Sequence, residues 1–120
     1  MILVDTSVWI DHLRRGNSAL SATLERGEVV CHPFIIGEIS LGSLRQRAAI
    51  LALLVELPMA TLVPHDDVLS LVSRLNLAGS GVGWVDAHLV ASAVLDRVSL
   101  WTLDRRLAAV ARAAGVTGEL

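Results

Sequence analysis

Short apolar segments alternate with longer amphipathic segments along this chain, and the alternation constrains the fold more than any other feature. The first segment, Ile2 to Val4, is wholly apolar, as is typical of a parallel strand buried on both faces. Further strands are predicted at Val29 to Cys31, Thr61 to Val63 and Val98 to Thr102, with a brief fifth beginning at Val116. The pattern therefore predicts an α/β fold, a three-layer α/β/α sandwich with a four- to five-stranded parallel sheet.

Helices are predicted between these strands from apolar spacing and from the residues that begin and end helices. Six of them span Val8 to Arg15, Asn17 to Gly27, Pro33 to Gly42, Leu44 to Leu57, Val85 to Leu95, and Asp104 to Ala114. A further helix, between the fourth and fifth of these, is capped by Asp66 and ends before the loop that begins at Ala78. In the fourth of these helices, the predicted inward stripe is Leu44, Ala48, Leu51 and Val55.

Length and composition indicate one domain, residues 1–120, with ample material for a core, since 53% of the residues are hydrophobic. No apolar run approaches the ~18 residues of a membrane span, and there is no basic leader, so we expect a cytoplasmic protein without membrane contact. Cys31 is the only cysteine, which excludes an internal disulfide. All ten basic residues are arginine, a pattern that suits phosphate binding but that codon bias in a GC-rich genome explains more simply.

Four acidic residues stand where apolar runs end: Asp5, Glu38, Asp86 and Asp104. Asp5 and Asp104 follow the first and fourth predicted strands, at the edge where parallel sheets bind ligands. Glu38 lies in the helix after the second strand, and Asp86 lies at the start of its helix. All four side chains can therefore point into one crevice.

Such a crevice requires a cation. Two carboxylates about 5 Å apart repel by about 3 kcal/mol at an effective dielectric constant of about 20. Oxygen-only ligands suit Mg²⁺ or Mn²⁺, and a cluster of this kind is typical of metal-assisted phosphodiester hydrolysis. Ser7 and Thr102 each lie two residues from an acidic residue, where their hydroxyls can orient a ligand carboxylate.

The acidic residues also have simpler interpretations. Asp5 and Asp104 can each cap a helix, Asp86 can complement a helix dipole, and Glu38 can be a solvated surface residue. Other acidic residues are weaker candidates: Asp11 is expected to pair with an arginine, and Asp96 lies about 15 Å along its helix from Asp86.

Four arginines flank the predicted site: Arg14, Arg15, Arg105 and Arg106. They can hold RNA phosphates, or they can form a solvated face and internal salt bridges.

The three tryptophans are expected mostly in the core, although Trp9 can line a groove for a partner or stack on a base. The four histidines form no metal-binding pattern. The loop at 79–84 lacks the spacing of a nucleotide-binding motif, and the absence of lysine argues against a haloacid-dehalogenase-type phosphatase or a receiver domain.

Four segments together resemble one known family. They are Met1 to Asp11, Gly37-Glu38-Ile39 with Gly42, Val85 to Ala91, and Leu100 to Arg106. In order and spacing they resemble PIN-domain ribonucleases, in particular the VapC toxins of type II toxin–antitoxin pairs. The sequence departs from the family in its short C-terminus and in His88-Leu89-Val90, where a more uniformly aliphatic stretch is usual; neither change touches the acidic quartet.

The resemblance implies a Mg²⁺- or Mn²⁺-dependent endoribonuclease, with Asp5, Glu38, Asp86 and Asp104 as catalytic and metal-binding residues. It implies tRNA or rRNA as the substrate, a homodimer, and a cognate VapB-type antitoxin. Contact with DNA is expected only through that antitoxin. The apolar faces around Val8 to Leu13 and Leu44 to Val55 are the predicted antitoxin and dimer surfaces. The alternative is a catalytically silent PIN-like interaction module.

Overall fold

A computed structural model describes residues 1–117 of the protein. The predicted domain boundary at residue 120 lies outside the described residues. Three strands and seven helices are present in that range. In chain order they are β1 (Ile2–Val4), α1 (Thr6–Arg15), α2 (Ser18–Glu25), β2 (Val29–Val30), α3 (Pro33–Ser40), α4 (Arg47–Leu54), α5 (His65–Arg74), α6 (Trp84–Asp96), β3 (Ser99–Trp101) and α7 (Arg105–Ala113).

The three strands form a parallel sheet in the order β2-β1-β3. The central strand β1 is buried along its whole length, which explains why its sequence is apolar at every position. Two single parallel bridges extend the sheet outward, Cys31 with Met59 beside β2, and Leu100 with Thr117 beside β3. The carboxyl ends of β1 and β3 therefore lie next to each other at one edge.

The α/β sandwich is as predicted, but the number of strands is smaller. The strand predicted at Thr61 to Val63 is absent, and only the bridge at Met59 marks its place. The Thr61 backbone is engaged elsewhere: its N–H donates to Oδ2 of Asp96 at 2.7 Å and its carbonyl accepts from the Ser92 hydroxyl at 2.7 Å. Since both partners lie on α6, these bonds draw the chain away from the sheet. The brief fifth strand at Val116 is reduced to the bridge at Thr117.

The helices cover both faces of the sheet. From β1 through β2 to the segment at Met59 the chain moves one way across the sheet, and it then returns to β3 and the segment at Thr117. Right-handed crossovers in opposite directions leave their helices on opposite faces. Helices α1 to α4 therefore cover one face and α5 to α7 the other, in agreement with the contacts of α1 with α2 and α3, and of α6 with α5, β3 and α7.

The fourth helix is shorter than predicted, and its inward face is different. It begins after Gln46, which has a left-handed backbone, and it ends at Leu54. Leu54 is buried, whereas Ala48 and Val55 of the predicted stripe are exposed. Helix α5 also begins differently, because Pro64 is its N-cap and Asp66 lies in its first turn.

Helix α6 is the most enclosed helix of the described chain. All seven of its residues from Ala87 to Ala93 are buried, and two of them, His88 and Ser92, are polar. A helix buried all round fixes its own position tightly, which also fixes its first turn at the edge of the sheet. No helix within residues 1–117 combines the length and the apolar character needed to cross a membrane.

Candidate active site

Asp5 follows β1 directly and is the N-cap of α1. Its side chain is 5% exposed, and Oδ2 accepts three hydrogen bonds. The donors are the Ser7 hydroxyl at 2.6 Å, the Thr102 hydroxyl at 2.7 Å and the Ser7 backbone N–H at 3.3 Å. Oδ1 accepts no hydrogen bond from the described residues, so the internal contacts of this buried carboxylate all fall on one oxygen.

Ser7 and Thr102 hold Asp5 in place and are themselves held by the loop after β3. The Ser7 hydroxyl accepts from the Leu103 N–H at 3.0 Å, and the Thr102 hydroxyl accepts from the Asp104 N–H at 3.0 Å. Each hydroxyl has one hydrogen, and both hydrogens are directed to Asp5. The two hydroxyl oxygens are 3.2 Å apart, but with both hydrogens directed to Asp5 they form no hydrogen bond with each other.

Asp104 is the N-cap of α7, where Oδ1 accepts from the backbone N–H groups of Arg106 at 2.8 Å and Leu107 at 3.1 Å. Because β1 and β3 are adjacent and parallel, Asp5 and Asp104 leave the sheet side by side. Both residues cap helices, so the prediction that Asp5 and Asp104 act as helix caps is confirmed. Capping occupies one oxygen of each carboxylate and is compatible with a shared site.

Glu38 is an exposed residue of α3, and it is tied to the Asp5 end of the sheet. Its Oε1 accepts a hydrogen bond of 2.8 Å from the hydroxyl of Thr6, the residue between Asp5 and Ser7. Thr6 was not among the predicted site residues. The only feature of the sequence that pointed to Thr6 was its hydroxyl group, directly beside Asp5 in the chain.

Asp86 lies in the first turn of α6, and the charges of the other three acidic residues act on it. The pKa of Asp86 is raised from 3.8 to about 6. Burial is the largest cause, the charges of Asp5, Asp104 and Glu38 act in the same direction, and the Gly83 backbone N–H opposes them. Charges shift a pKa in this way only at short range. Asp5, Asp104 and Glu38 therefore lie near enough to Asp86 for their charges to act on it.

The donor set suits a hard divalent cation, although the side chains do not form a closed metal centre. Carboxylate oxygens are the ligands that Mg²⁺ and Mn²⁺ prefer, and a nearby cation relieves the unfavourable charge of Asp86. Among residues 1–117, however, no three His, Cys, Asp or Glu side chains lie close enough together to hold one ion. Uptake of an ion by three of these carboxylates therefore requires side chains to turn toward one another.

The four flanking arginines divide into paired and unpaired residues. Arg15 pairs with Asp11, as predicted for Asp11, with Nε 3.0 Å from Oδ1. Within the described part of the chain, Arg14, Arg105 and Arg106 form no salt bridge. Their guanidinium groups are therefore available to an external anion.

Arg106 has a defined position on the loop that precedes α6. At Gly81, where φ is +84°, an added Cβ would lie 2.7 Å from Nη1 of Arg106 and 3.1 Å from its Cζ. The guanidinium therefore lies against the Gly81 backbone, in space that a side chain would occupy. This places a positive charge on the segment that leads into Trp84 and Asp86.

Trp84 was expected in the core with the other tryptophans, and the structure contradicts that expectation. Its side chain is 40% exposed, whereas Trp9 is 5% exposed. The indole ring lies 5.0 Å from the ring of His65 and 4.9 Å from the ring of His88, measured between centroids. The position of Trp84 as the first residue of α6, two residues before Asp86, was the available signal.

His32 fixes the helix that carries Glu38. It is the N-cap of α3, where Nδ1 accepts from the Phe34 N–H at 3.0 Å, so that Nε2 carries the hydrogen and donates to the Ser92 hydroxyl at 3.1 Å. His32 is fully buried. Burial lowers the pKa of His32 to about 4, helped by the nearby His88, while Asp96 opposes the change.

A second concave surface lies away from the carboxylates. It is an apolar groove of about 440 Å³ between the α1–α2 pair and α4, and Trp9, Leu24, Leu53 and Leu54 are among the residues that line it. Nε1 of Trp9 is buried and donates to no described residue. Leu53 is 71% exposed, which is unusual for a leucine that faces a groove.

The chain belongs to the PIN domain family, whose profile matches residues 2–113. It is also similar to the protein named ribonuclease VapC32 from Mycobacterium tuberculosis, in strains CDC 1551/Oshkosh and H37Rv. Identity with both is 49% over 117 residues, which is 97% of this chain and 94% of each relative. The resemblance to PIN-domain VapC proteins, first inferred from four short segments, is confirmed over nearly the whole chain.

Proposed function

We propose that this protein is a Mg²⁺- or Mn²⁺-dependent endoribonuclease toxin of a VapBC-type toxin–antitoxin pair. The observation that carries the proposal is the 49% identity, over 97% of the chain, with proteins named ribonuclease VapC32. The hydrogen bonds that join the Asp5 carboxylate, through the Thr102 hydroxyl, to the backbone of Asp104 support a shared carboxylate site. Carboxylates held near one another favour the binding of a cation. The similarity to proteins named ribonucleases supports RNA as the substrate, with tRNA or rRNA as the expected target.

Each residue of the cluster has a part in this proposal. Asp5, Asp86 and Asp104 would hold the ion, and Glu38 would bind it through water or orient a water molecule for attack. When bound, the ion supplies an activated water and neutralises charge that grows on the phosphate. Ser7 and Thr102 keep the Asp5 carboxylate oriented through the hydrogen bonds to its Oδ2.

The cationic residues on the rim complete the substrate site. Phosphate contacts position a nucleic acid without reading its sequence, and arginine provides paired N–H donors for that purpose. Arg14, Arg105 and Arg106 are assigned this role because no salt bridge within residues 1–117 occupies them. Arg15 is assigned a smaller part, since it is already paired with Asp11.

The apolar groove beside Trp9 is the proposed antitoxin surface. It includes Leu13 from the predicted Val8 to Leu13 face and Ile50 from the predicted Leu44 to Val55 face. An amphipathic segment in such a groove would bury Leu53. The homodimer and the indirect contact with DNA remain predictions from the family.

The proposal is tested by cleavage of total cellular RNA with purified protein in Mn²⁺, in Mg²⁺ and in EDTA. The informative variant is Asp104→Asn, because asparagine caps a helix as well as aspartate does and only the charge is lost. Asp66→Asn, an exposed residue in the first turn of α5, is the matched control. We expect metal-dependent cleavage by the wild type and the control, and a loss of at least 100-fold in Asp104→Asn.

The alternative, a catalytically silent interaction module, predicts other results in the same assay. Cleavage by Asp104→Asn equal to that of the wild type would show that the activity does not arise at this cluster. No cleavage of any cellular RNA by clean wild-type protein would favour the module. The intact set of four carboxylates is the observation against it.

A further inference from the structure

Five aromatic side chains contact one another in series near the start of α6. Four ring contacts form a continuous chain from the interior to the surface: His32 with Phe34, Phe34 with His88, His88 with Trp84, and Trp84 with His65. The centroid distances are 5.2, 4.8, 4.9 and 5.0 Å in that order. The inner end is buried, whereas Trp84 and His65 are exposed.

Trp84 is exposed but not free to move. The ring of His88 meets it nearly edge-on, with an interplanar angle of 87°, and His65 lies against it at 53°. His88 is itself 4% exposed and is held on its other side by Phe34, at 73°. An exposed aromatic ring that is fixed by two others loses little conformational entropy when a planar ligand stacks on it.

Trp84 lies on the helix turn that also carries Asp86. The two residues are about 3 Å apart along the axis of α6, but their side chains project to different sides of the helix. The loop that leads into Trp84 carries the Arg106 guanidinium against Gly81. An aromatic face and a cation therefore occur within one short segment of the chain, and these two groups together are typical of sites for single-stranded nucleic acid.

Stacking also provides binding energy at a site where negative charge repels RNA. The net charge of the chain is −2, and the carboxylates repel phosphates until a cation is bound. Stacking of a base on an aromatic ring contributes about 1–3 kcal/mol per base and does not depend on charge. The protein can thus hold RNA at a negatively charged edge by its bases as well as by its phosphates.

We propose that Trp84, braced by His65 and His88, is a stacking site for an unpaired RNA base at the start of α6. This inference rests on the proposed ribonuclease function and assigns one residue of the protein to binding a base of the substrate. Trp84 binds the base and takes no part in proton transfer. His65 borders the same site and extends the aromatic surface.

The test measures binding of fluorescein-labelled RNA by anisotropy, with EDTA present so that cleavage and binding are separate. Three probes of about ten nucleotides are compared, a length within the usual site size. They are oligoadenylate, oligouridylate and an abasic ribose-phosphate chain of the same charge. The variants are Trp84→Ala, Trp84→Phe and Arg106→Gln, with Leu95→Ala, an exposed residue at the far end of α6, as the control.

We expect Trp84→Ala to raise the Kd for oligoadenylate about tenfold, with a smaller effect on oligouridylate and none on the abasic chain. Trp84→Phe should recover most of the affinity because it keeps a ring. Arg106→Gln should weaken all three probes and reduce the dependence of log Kd on log salt concentration, whereas Trp84→Ala should leave that slope unchanged. Leu95→Ala should bind as the wild type does.

Three results would overturn the inference. They are unchanged oligoadenylate binding by a folded Trp84→Ala protein, an equal loss for oligoadenylate and the abasic chain, and a loss confined to binding of a copurified antitoxin. Thermal unfolding of each variant separates a folding defect from a binding defect. Failure of the wild type to cleave RNA would refute the proposed function alone, because base-dependent binding is measured without cleavage.

Discussion

The Thr102 hydroxyl donates a hydrogen bond of 2.7 Å to Oδ2 of Asp5, across 97 residues of sequence. The bond joins the carboxyl ends of two adjacent parallel strands, and the backbone N–H of Asp104 donates in turn to the same hydroxyl. One small side chain therefore sets the relative position of two of the four carboxylates. Its contribution can be measured directly.

Thr102→Val removes both hydrogen bonds while keeping the shape of the side chain. We expect the free energy of unfolding at pH 7 to fall by about 2 kcal/mol, because a hydrogen bond to a charged group contributes about 1.5–3 kcal/mol. Thr102→Ser keeps the hydroxyl and should lose less than half as much. Urea unfolding measures both variants, and equal losses in the two would show that the hydroxyl has no special part.

Asp86→Asn should stabilise the protein in the absence of divalent ions. The pKa of Asp86 is raised to about 6 in the folded state, so its ionised form at pH 7 opposes folding. Allowing for partial solvent exposure, we expect a gain of about 1 kcal/mol at pH 7 that disappears below about pH 4, where the carboxyl group is protonated in both states. The control, Asp66→Asn, should change stability by less than about 0.5 kcal/mol.

The outcome that would contradict this prediction is a destabilised Asp86→Asn protein at pH 7. Addition of Mn²⁺ provides an independent check. The ion should raise the melting temperature of the wild type and leave that of Asp86→Asn unchanged, because a ligand stabilises only the form that binds it.

The same raised pKa predicts the pH dependence of ion binding. Asp86 must be ionised to bind a cation, and its ionised fraction falls about tenfold between pH 7 and pH 5 when the pKa is about 6. We expect the affinity for Mn²⁺, measured by isothermal titration calorimetry, to fall by at least that factor over this range. A constant affinity between these pH values would mean that Asp86 is not a ligand.

Elements whose structure is set by the local sequence pattern could be predicted, whereas elements whose structure is set by contacts with distant residues could not. Ile2 to Val4 was predictable because an apolar triplet before an aspartate has few alternatives in a small α/β domain. The missing strand at Thr61 was not predictable, because the competing partners, Asp96 and Ser92, lie more than 30 residues further along the chain.

The candidate site shows the same division. Each acidic residue was visible as a carboxylate after an apolar run, since sheet edges collect the ends of strands. The hydrogen bond from Thr6 to Glu38 and the exposure of Trp84 were not visible, because both depend on how α3 and α6 pack against the sheet. Propensity and periodicity do not determine such packing.

His32 should make the stability of the protein fall as the pH is lowered. Its pKa is about 4 in the folded state and about 6.5 in the unfolded state, so protonation favours unfolding as the pH falls from about 6.5 to 4. This group alone accounts for at most about 3 kcal/mol. His32→Asn keeps an N-cap but does not titrate, so urea unfolding of this variant should show a smaller change between pH 7 and pH 5 than the wild type shows. Identical pH profiles would contradict the assignment.

Leu53→Asp should weaken the antitoxin complex without affecting the carboxylate cluster. Leu53 is 71% exposed and lines the apolar groove, so a charge there would have to be buried beneath a bound antitoxin helix. We expect copurification with a coexpressed VapB-type antitoxin to be lost, or its Kd to rise about tenfold or more, while Mn²⁺ binding is unchanged. Val55→Asp, on an exposed residue just beyond α4 that does not line the groove, is the matched control and should retain the complex. A complex that tolerates Leu53→Asp as well as Val55→Asp would move the antitoxin surface elsewhere on the protein.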